Sequence, residues 1–320
     1  CLLPLSTLLE NISGVYMPLL ANGSIITVPT SMLGMAGSSD INTERFLAAI
    51  KHYQPNTLIL VPQMLSLIND ALDKGWQPPS SLRFIAVGGA KISASLIKRV
   101  RSKGIPVYEG YGLSECASVV ALNTPNNDAP SCSGKLLPHL SASTKNNEII
   151  IHGNTFLGYL NQPDSWGKNF VATGDIGHID RDNYVHISGR SKNQLISSFG
   201  RNISPEWIES EFTASQYFSQ AFVFGDAKPY CCALLYPQNP SATNAQIQRW
   251  VDDINQQFPD YAKIGGWLRL DSPLNYHNGL LTENGRPRRH EILQTFSQKI
   301  DQLYCQPSQH NAPQSGDIHP

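Results

Sequence analysis

From Ser24 to Lys103, short apolar runs alternate with amphipathic stretches of helical length, and that alternation restricts the chain to few architectures. Ser24-Ile25-Ile26-Thr27-Val28, Thr57-Leu58-Ile59-Leu60-Val61 and Arg83-Phe84-Ile85-Ala86-Val87 read as short buried strands. Between them, Asn42 to Tyr53 places Phe46, Leu47 and Ile50 on one helical face, and Met64 to Leu72 repeats the pattern. A further helix is expected from Ser93 to Lys103, stopping before Gly104. Strands separated by such helices imply a mostly parallel sheet with helical crossovers, so the expected fold class is α/β, passing into mixed α+β further along.

From about Asn123 the texture changes to turns, Pro and Gly, then to strands without helices between them. Glu148 to His152 is one expected strand. Gly177–Ile179 and Tyr184–Ile187 flank the polar turn Asp180-Arg181-Asp182-Asn183 as a hairpin. Gly189-Arg190-Ser191-Lys192 reads as a domain junction. Beyond it, Ser204-Pro205-Glu206 combines an N-cap, Pro at the first helical position and an early carboxylate, so a helix is expected to about Ala214. Strands at Ala221–Phe224 and Cys232–Tyr236 precede helices near Asn244–Gln257 and Glu291–Tyr304. The polar tail from Gln306, rich in Pro, Gln and Ser, is expected to be disordered.

The bulk numbers narrow the function. A formal net charge of −1 gives no electrostatic case for nucleic acid or an anionic membrane as the main partner. No apolar stretch approaches the roughly 18 residues needed to span a bilayer. The six cysteines form no CxxC pair and no Cys/His cluster with zinc spacing, which suits buried thiols in a reducing, cytoplasmic setting. Cys231 and Cys232 sit in an apolar run, where strand geometry points them to opposite faces. The chain opens on Cys1-Leu2-Leu3-Pro4-Leu5 without a basic region, as expected of a sequence that starts inside a longer protein.

Five clusters carry the chemistry. Val87-Gly88-Gly89-Ala90 follows a strand directly, and small residues at a parallel strand's carboxyl end let a flat ring approach the backbone. A tight strand-to-helix turn would look the same. In Tyr108-Glu109-Gly110-Tyr111-Gly112-Leu113-Ser114-Glu115, two glycines bracket a ring able to stack on a base, and Ser114 and Glu115 stand together where a phosphate and its Mg²⁺ could be held. In Ala172-Thr173-Gly174-Asp175, an Asp held by a Thr-Gly turn can accept from both hydroxyls of a ribose; the alternative is a turn that merely leads into the hairpin. The remaining two are Gly189-Arg190-Ser191-Lys192 and Gly200-Arg201-Asn202-Ile203-Ser204-Pro205-Glu206-Trp207-Ile208-Glu209.

In this order the five resemble the adenylate-forming superfamily of acyl-CoA synthetases, peptide-synthetase adenylation domains and luciferases. The GRNISPEWIE form is most similar to long-chain fatty acyl-CoA synthetases, and the resemblance runs over nearly the whole chain. It implies that residues 1–190 are the C-terminal part of a large AMP-binding domain, 191–305 a small mobile α+β domain, and 306–320 the tail. It further implies activation of a carboxylic acid, a fatty acid above all, by ATP and Mg²⁺, then transfer to coenzyme A. Lipid substrates would admit a peripheral membrane contact. Gly88, Gly89, Ala90, Glu109, Gly110, Tyr111 and Gly112 would border the nucleotide and acyl group. Ser114 and Glu115 would serve phosphates and Mg²⁺, with Glu115 the metal ligand, and Asp175 and Arg190 would take the ribose. Lys192 would be a hinge, and Gly200 and Arg201 would meet coenzyme A.

Two departures stand out. The family's Ser/Thr/Gly-rich loop ending in Lys, which binds the triphosphate, does not occur between Cys1 and Pro320 and is expected upstream, in a missing N-terminal part of the same enzyme. In Leu281-Thr282-Glu283-Asn284-Gly285-Arg286, Arg286 stands where the family usually has a catalytic Lys, with Arg288 or Arg289 as alternatives. Besides the ligase, the sequence leaves open a non-catalytic remnant that binds AMP or acyl-CoA, and an adenylating enzyme that hands the acyl group to a carrier protein.

Overall fold

Local capping sets the first helices. Asn42 Oδ1 accepts the Arg45 N–H at 3.0 Å and starts Thr43–Tyr53, which buries Phe46, Ala49 and Ile50. Pro62 occupies the first turn of Pro62–Asp73. Ser93 Oγ accepts from the N–H groups of Ser95 and Leu96 and caps Ala94–Ser102. The computed structural model of the chain describes residues 1–36, 40–129, 132–282 and 285–305. The Pro- and Gln-rich tail therefore lies outside the described residues, as do Glu283 and Asn284. The described chain divides into two compact units, Cys1–Gln194 and a second beginning at Leu195.

In the first unit, Thr57–Leu60, Phe84–Val87 and Val107–Tyr111 run parallel, and Ala121–Leu122 and Lys135–Leu136 continue the sheet antiparallel. A second, wholly antiparallel sheet orders Val185–Arg190, Phe170–Ile179, Glu148–His152 and Ser141–Lys145. Cys116, Val120, Ala121, Leu140, Ile149, Ile151, Val171 and Val185 form one buried cluster shared by the two sheets. The fold class is thus mixed α+β, with the parallel α/β portion first.

The Ser24–Val28 segment is not a strand. Among the described residues it has no ladder partner, and Ile26 is 38% exposed. β-branched composition favours extended backbone, but a ladder also needs a neighbour to pair with. The sequence reading also missed a helical run from Leu8 to Leu20, whose middle, Asn11–Tyr16, is wound as a π-helix. The strand Phe170–Ile179 is longer than expected, so Thr173-Gly174-Asp175 lies within it and not in a turn. The ladder to Glu148–His152 shifts register between Ala172 and Ile176, which marks an irregularity at those residues.

In the second unit, Phe218–Phe224, Cys231–Pro237 and Ile264–Arg269 form a three-stranded sheet. One face packs with Ile208 and Phe212 from the helix Pro205–Thr213 and Ile247, Val251 and Ile254 from Asn244–Asn255. The other packs with Leu274, Leu280, Ile292 and Ile300. Cys231 belongs to the first face and Cys232 to the second, as strand alternation requires. Burial pushes their thiols up, to about 12 and about 11, so neither is a ready nucleophile. The expected single helix Glu291–Tyr304 is two, Arg289–Thr295 and Ser297–Cys305, because Phe296 leaves helical geometry with φ −102° and ψ 10°. Ser204 makes no side-chain cap; its hydroxyl donates instead to Glu206 Oε2 at 3.0 Å. Among the described residues no helix is long and apolar enough to cross a membrane.

Candidate functional site

The strand Val107–Tyr111 ends against the second sheet, and there the first unit assembles its charged groups. Tyr111 Oη donates to Asp175 Oδ2 at 2.6 Å, and Arg190 Nε meets Asp175 Oδ1 at 2.8 Å. Asp175 and Arg190 face each other across the antiparallel pair, so strand register places the ion pair. The backbone beneath is fastened as well. Thr173 Oγ1 donates to the Ile149 carbonyl at 2.8 Å and accepts the Asp175 N–H at 3.0 Å, while the Gly174 N–H reaches Glu148 Oε1 at 2.8 Å. The Asp175 side chain is 5% exposed and that of Arg190 45%, so a buried carboxylate is held with its guanidinium at the surface. Burial first, then the neighbouring Asp175 charge, push the Tyr111 hydroxyl far above its ordinary value, which keeps it a donor at any physiological pH.

Ser114, Glu115 and Cys116 form a single tight turn immediately after the Tyr111-Gly112-Leu113 segment. Ala117 and Ser118 follow with φ of +56° and +87°, a conformation that non-glycine residues rarely adopt and that concentrates at functional sites. Ser114 is exposed and Glu115 half-buried. The Glu115 carbonyl accepts the Phe156 N–H at 2.8 Å, and its Oε1 accepts from Tyr159 Oη at 2.6 Å. That bond, with some desolvation, raises the Tyr159 hydroxyl to about 12. Sequence reasoning missed Tyr159, since nothing in its local pattern points back across the chain to Glu115.

Two glycines expected to admit a ligand have internal reasons to be glycine. A Cβ on Gly88 would stand 2.8 Å from the Gly110 carbonyl oxygen, and one on Gly112 would land on the Ser118 carbonyl. Close approach of backbone to backbone explains both. Gly89 and Ala90 lie exposed at the same strand end.

Glu109 points the other way, into the unit, 9% exposed, and accepts from Ser133 Oγ at 3.1 Å. Burial raises its carboxyl from 4.5 to about 7, against the opposing pull of Lys91 and the Ser133 bond. Lys91 Nζ also donates to the Ile187 carbonyl at 3.0 Å, tying the Gly88–Ala90 turn to the strand that carries Arg190. A folded-state pKa above the unfolded one means the folded unit holds a proton that the unfolded chain releases. Stability contributed by this group is full below about 4.5 and is lost as pH rises through about 7. The loss is on the order of 3 kcal/mol. Glu109→Gln is expected to flatten that decline, read from denaturant midpoints of the first unit at about pH 5 and about pH 8. An unchanged slope would show that Glu109 is already ionised in the fold.

In the second unit, Gly200 lies in an exposed turn, and the Arg201 guanidinium sits 5.8 Å from the Tyr261 ring centroid. Lys192 is exposed on the short turn Ser191–Asn193, at the end of the first unit. Arg286 is exposed, and its N–H donates to Thr282 Oγ1 at 3.1 Å. Arg289, one of the alternatives to Arg286, is committed elsewhere. Its Nη2 contacts Glu209 Oε1 at 2.8 Å and Oε2 at 2.7 Å, and its Nη1 donates to the Val223 carbonyl at 3.2 Å. That side chain is structural.

The Ser114–Cys116 turn offers one carboxylate, Glu115, and one exposed hydroxyl, Ser114, oxygen donors of the kind Mg²⁺ takes, and Mg²⁺ is commonly bound through one or two carboxylates plus substrate phosphates.

A two-unit chain with this parallel-then-antiparallel first unit is the adenylate-forming fold. The anthranilate CoA ligase AuaEII, in complex with anthranoyl-AMP, superposes with a TM-score of 0.78 at 17% identity, covering 93% of this chain and 58% of that one. The o-succinylbenzoate coenzyme A synthetase of Bacillus subtilis, in complex with ATP and magnesium ion, gives 0.70 at 20% identity, over 91% and 60%. Sequence profiles described as "AMP-binding enzyme" and "AMP-binding enzyme C-terminal domain" match residues 1–155 and 192–308. The chain belongs to the AMP-binding enzyme family. A long-chain-fatty-acid–CoA ligase of Mycobacterium bovis, FadD15, is 35% identical over an alignment of 246 positions that covers 68% of this chain and 41% of that protein. The chain thus spans about two-fifths of the length of that relative.

Proposed function

We propose that this chain supplies the nucleotide-binding part of an ATP-dependent acid–thiol ligase that makes an acyl-CoA. The observation that carries the reading is the buried Asp175 carboxylate, fixed at the meeting of two sheets by Tyr111 and Arg190. A carboxylate so placed can accept from vicinal hydroxyls of a ribose without reorganising, and charge-assisted bonds of this kind are the strong ones. Ser114 and Glu115 would meet the phosphates and their Mg²⁺. In the first half-reaction a carboxylate oxygen attacks the α-phosphorus of ATP, forming the acyl–AMP mixed anhydride and expelling pyrophosphate. In the second, the thiolate of coenzyme A attacks the acyl carbon and AMP leaves. Activation is needed because a carboxylate is a poor acyl donor until AMP becomes its leaving group.

A long-chain fatty acid is the acid we favour, on the resemblance to the mycobacterial ligase. A further part of the enzyme would supply the triphosphate loop, Lys192 the hinge between half-reactions, Gly200 and Arg201 contacts to coenzyme A, and Arg286 the charge that bridges acyl and phosphate groups during adenylation. The setting would be the cytoplasm. The test is ATP–pyrophosphate exchange by the complete enzyme that carries this chain, with a panel of acids, followed by thioester formation. Exchange is expected with long-chain fatty acids. Arg286→Ala should slow adenylation more than thioester formation from supplied acyl-AMP. Absence of exchange with every acid would overturn the ligase reading, and exchange only with aromatic acids would overturn the choice of substrate.

A further inference from the structure

The segment 153–167 is fastened to itself and to the Ser114–Cys116 turn, yet much of it is not packed into the core. Leu157 is 76% exposed, Leu160 83% and Trp166 52%. Burial therefore does not explain the conformation of the segment. Its hydrogen bonds do, and they converge on Tyr159. The Tyr159 N–H donates to Ser165 Oγ at 2.8 Å, and the Tyr159 carbonyl accepts the Trp166 indole N–H at 2.9 Å. Phe156 packs edge-on against the Tyr159 ring with centroids 4.7 Å apart. Gly158 lets the Trp166 ring close in, since a Cβ there would meet Trp166 Cδ1 at 2.6 Å. These contacts together hold one hydroxyl, which donates to Glu115 Oε1 at 2.6 Å.

We propose that Tyr159 is a positioning residue for the cation of the nucleotide substrate, acting through Glu115. This rests on the reading that Glu115 meets the Mg²⁺ of ATP. The Phe156 N–H fixes the Glu115 backbone and the Tyr159 hydroxyl fixes its side chain, so one segment sets both ends of the residue. With Oε1 accepting from the Tyr159 hydroxyl, the side chain is held in a defined rotamer, and the second oxygen is the one presented to a cation. Loss of a partner that orients a metal-binding carboxylate typically costs about 10–100-fold in metal affinity.

The experiment is calorimetric titration of ATP into the complete enzyme over a range of Mg²⁺ concentrations, with AMP in the absence of metal as the reference. Tyr159→Phe removes only a hydroxyl from a ring that is 45% exposed, so the melting temperature should not change. The expected result is a loss of roughly tenfold or more in the Mg²⁺-dependent part of ATP affinity, with metal-free AMP affinity unaltered. Glu115→Gln should abolish the same dependence, and in its presence Tyr159→Phe should add little. Unchanged Mg²⁺ dependence in Tyr159→Phe beside a lost dependence in Glu115→Gln would overturn the positioning role alone. Unchanged dependence in Glu115→Gln would overturn the assignment of Glu115 and the inference with it.

Discussion

Arg289→Met is expected to destabilise the second unit by about 3–5 kcal/mol, the cost of stranding a buried charge. Glu209 lies on the helix Pro205–Thr213 with only 11% of its side chain exposed, and the Val223 N–H donates to its Oε1 at 2.8 Å. Burial works to raise the Glu209 carboxyl, and the Arg289 guanidinium is the largest force opposing it. Arg289 also donates to the Val223 carbonyl and lies 4.9 Å from the Phe222 ring centroid, so one side chain fastens the helix Arg289–Thr295 to a strand and to the first helix of the unit. Methionine keeps much of the stem's packing and none of the charge. Glu206, 3.7 Å away, cannot substitute because it carries the same sign as Glu209. Adding Glu209→Gln to the variant should restore part of the loss, since the stranded charge is then gone. Denaturant midpoints of the wild type, both single variants and the double variant provide the measurement. A loss below about 1 kcal/mol for Arg289→Met would place the pair among weak surface bridges.

The second large effect is expected at Asp175. Asp175→Ala removes a carboxylate that would accept from two ribose hydroxyls, and hydrogen bonds to charged groups contribute roughly 1.5–3 kcal/mol each. AMP affinity of the complete enzyme should fall on the order of a hundredfold or more. The structural cost should be smaller. Arg190 is 45% exposed and can turn to water, leaving the Tyr111 hydroxyl as the group that loses its partner. Asp175→Asn separates the two effects, for it keeps an acceptor for Tyr111 while removing the charge. AMP titration with a parallel thermal melt reads both quantities. Affinity within about threefold of wild type in an otherwise intact protein would move the ribose away from Asp175.

The amino-acid sequence determined most of the secondary structure. Asn42, Pro62 and Ser93 announce helix starts through chemistry confined to a few neighbouring residues, so local pattern suffices to find them. The ordered motifs also contain Tyr111, Asp175 and Arg190, which the fold brings into contact. What the sequence could not supply was partnership across distance. Ser24–Val28 has the composition of a strand and, among the described residues, no ladder, because pairing is a property of two segments. Gly88 and Gly112 looked like openings for a ligand, and only the fold shows the Gly110 and Ser118 carbonyls pressing on them. Arg286 and Arg289 are a few residues apart and indistinguishable as cations on the page, yet burial against Glu209 takes Arg289 out of consideration for chemistry. Tyr159 stands 44 residues from Glu115, and a hydrogen bond across that separation leaves no periodic trace in the chain. Capping, turns and alternation act over a few residues and are written locally. Desolvation, close backbone approach and ion pairing depend on which surfaces folding brings together, so the tertiary structure alone decides them.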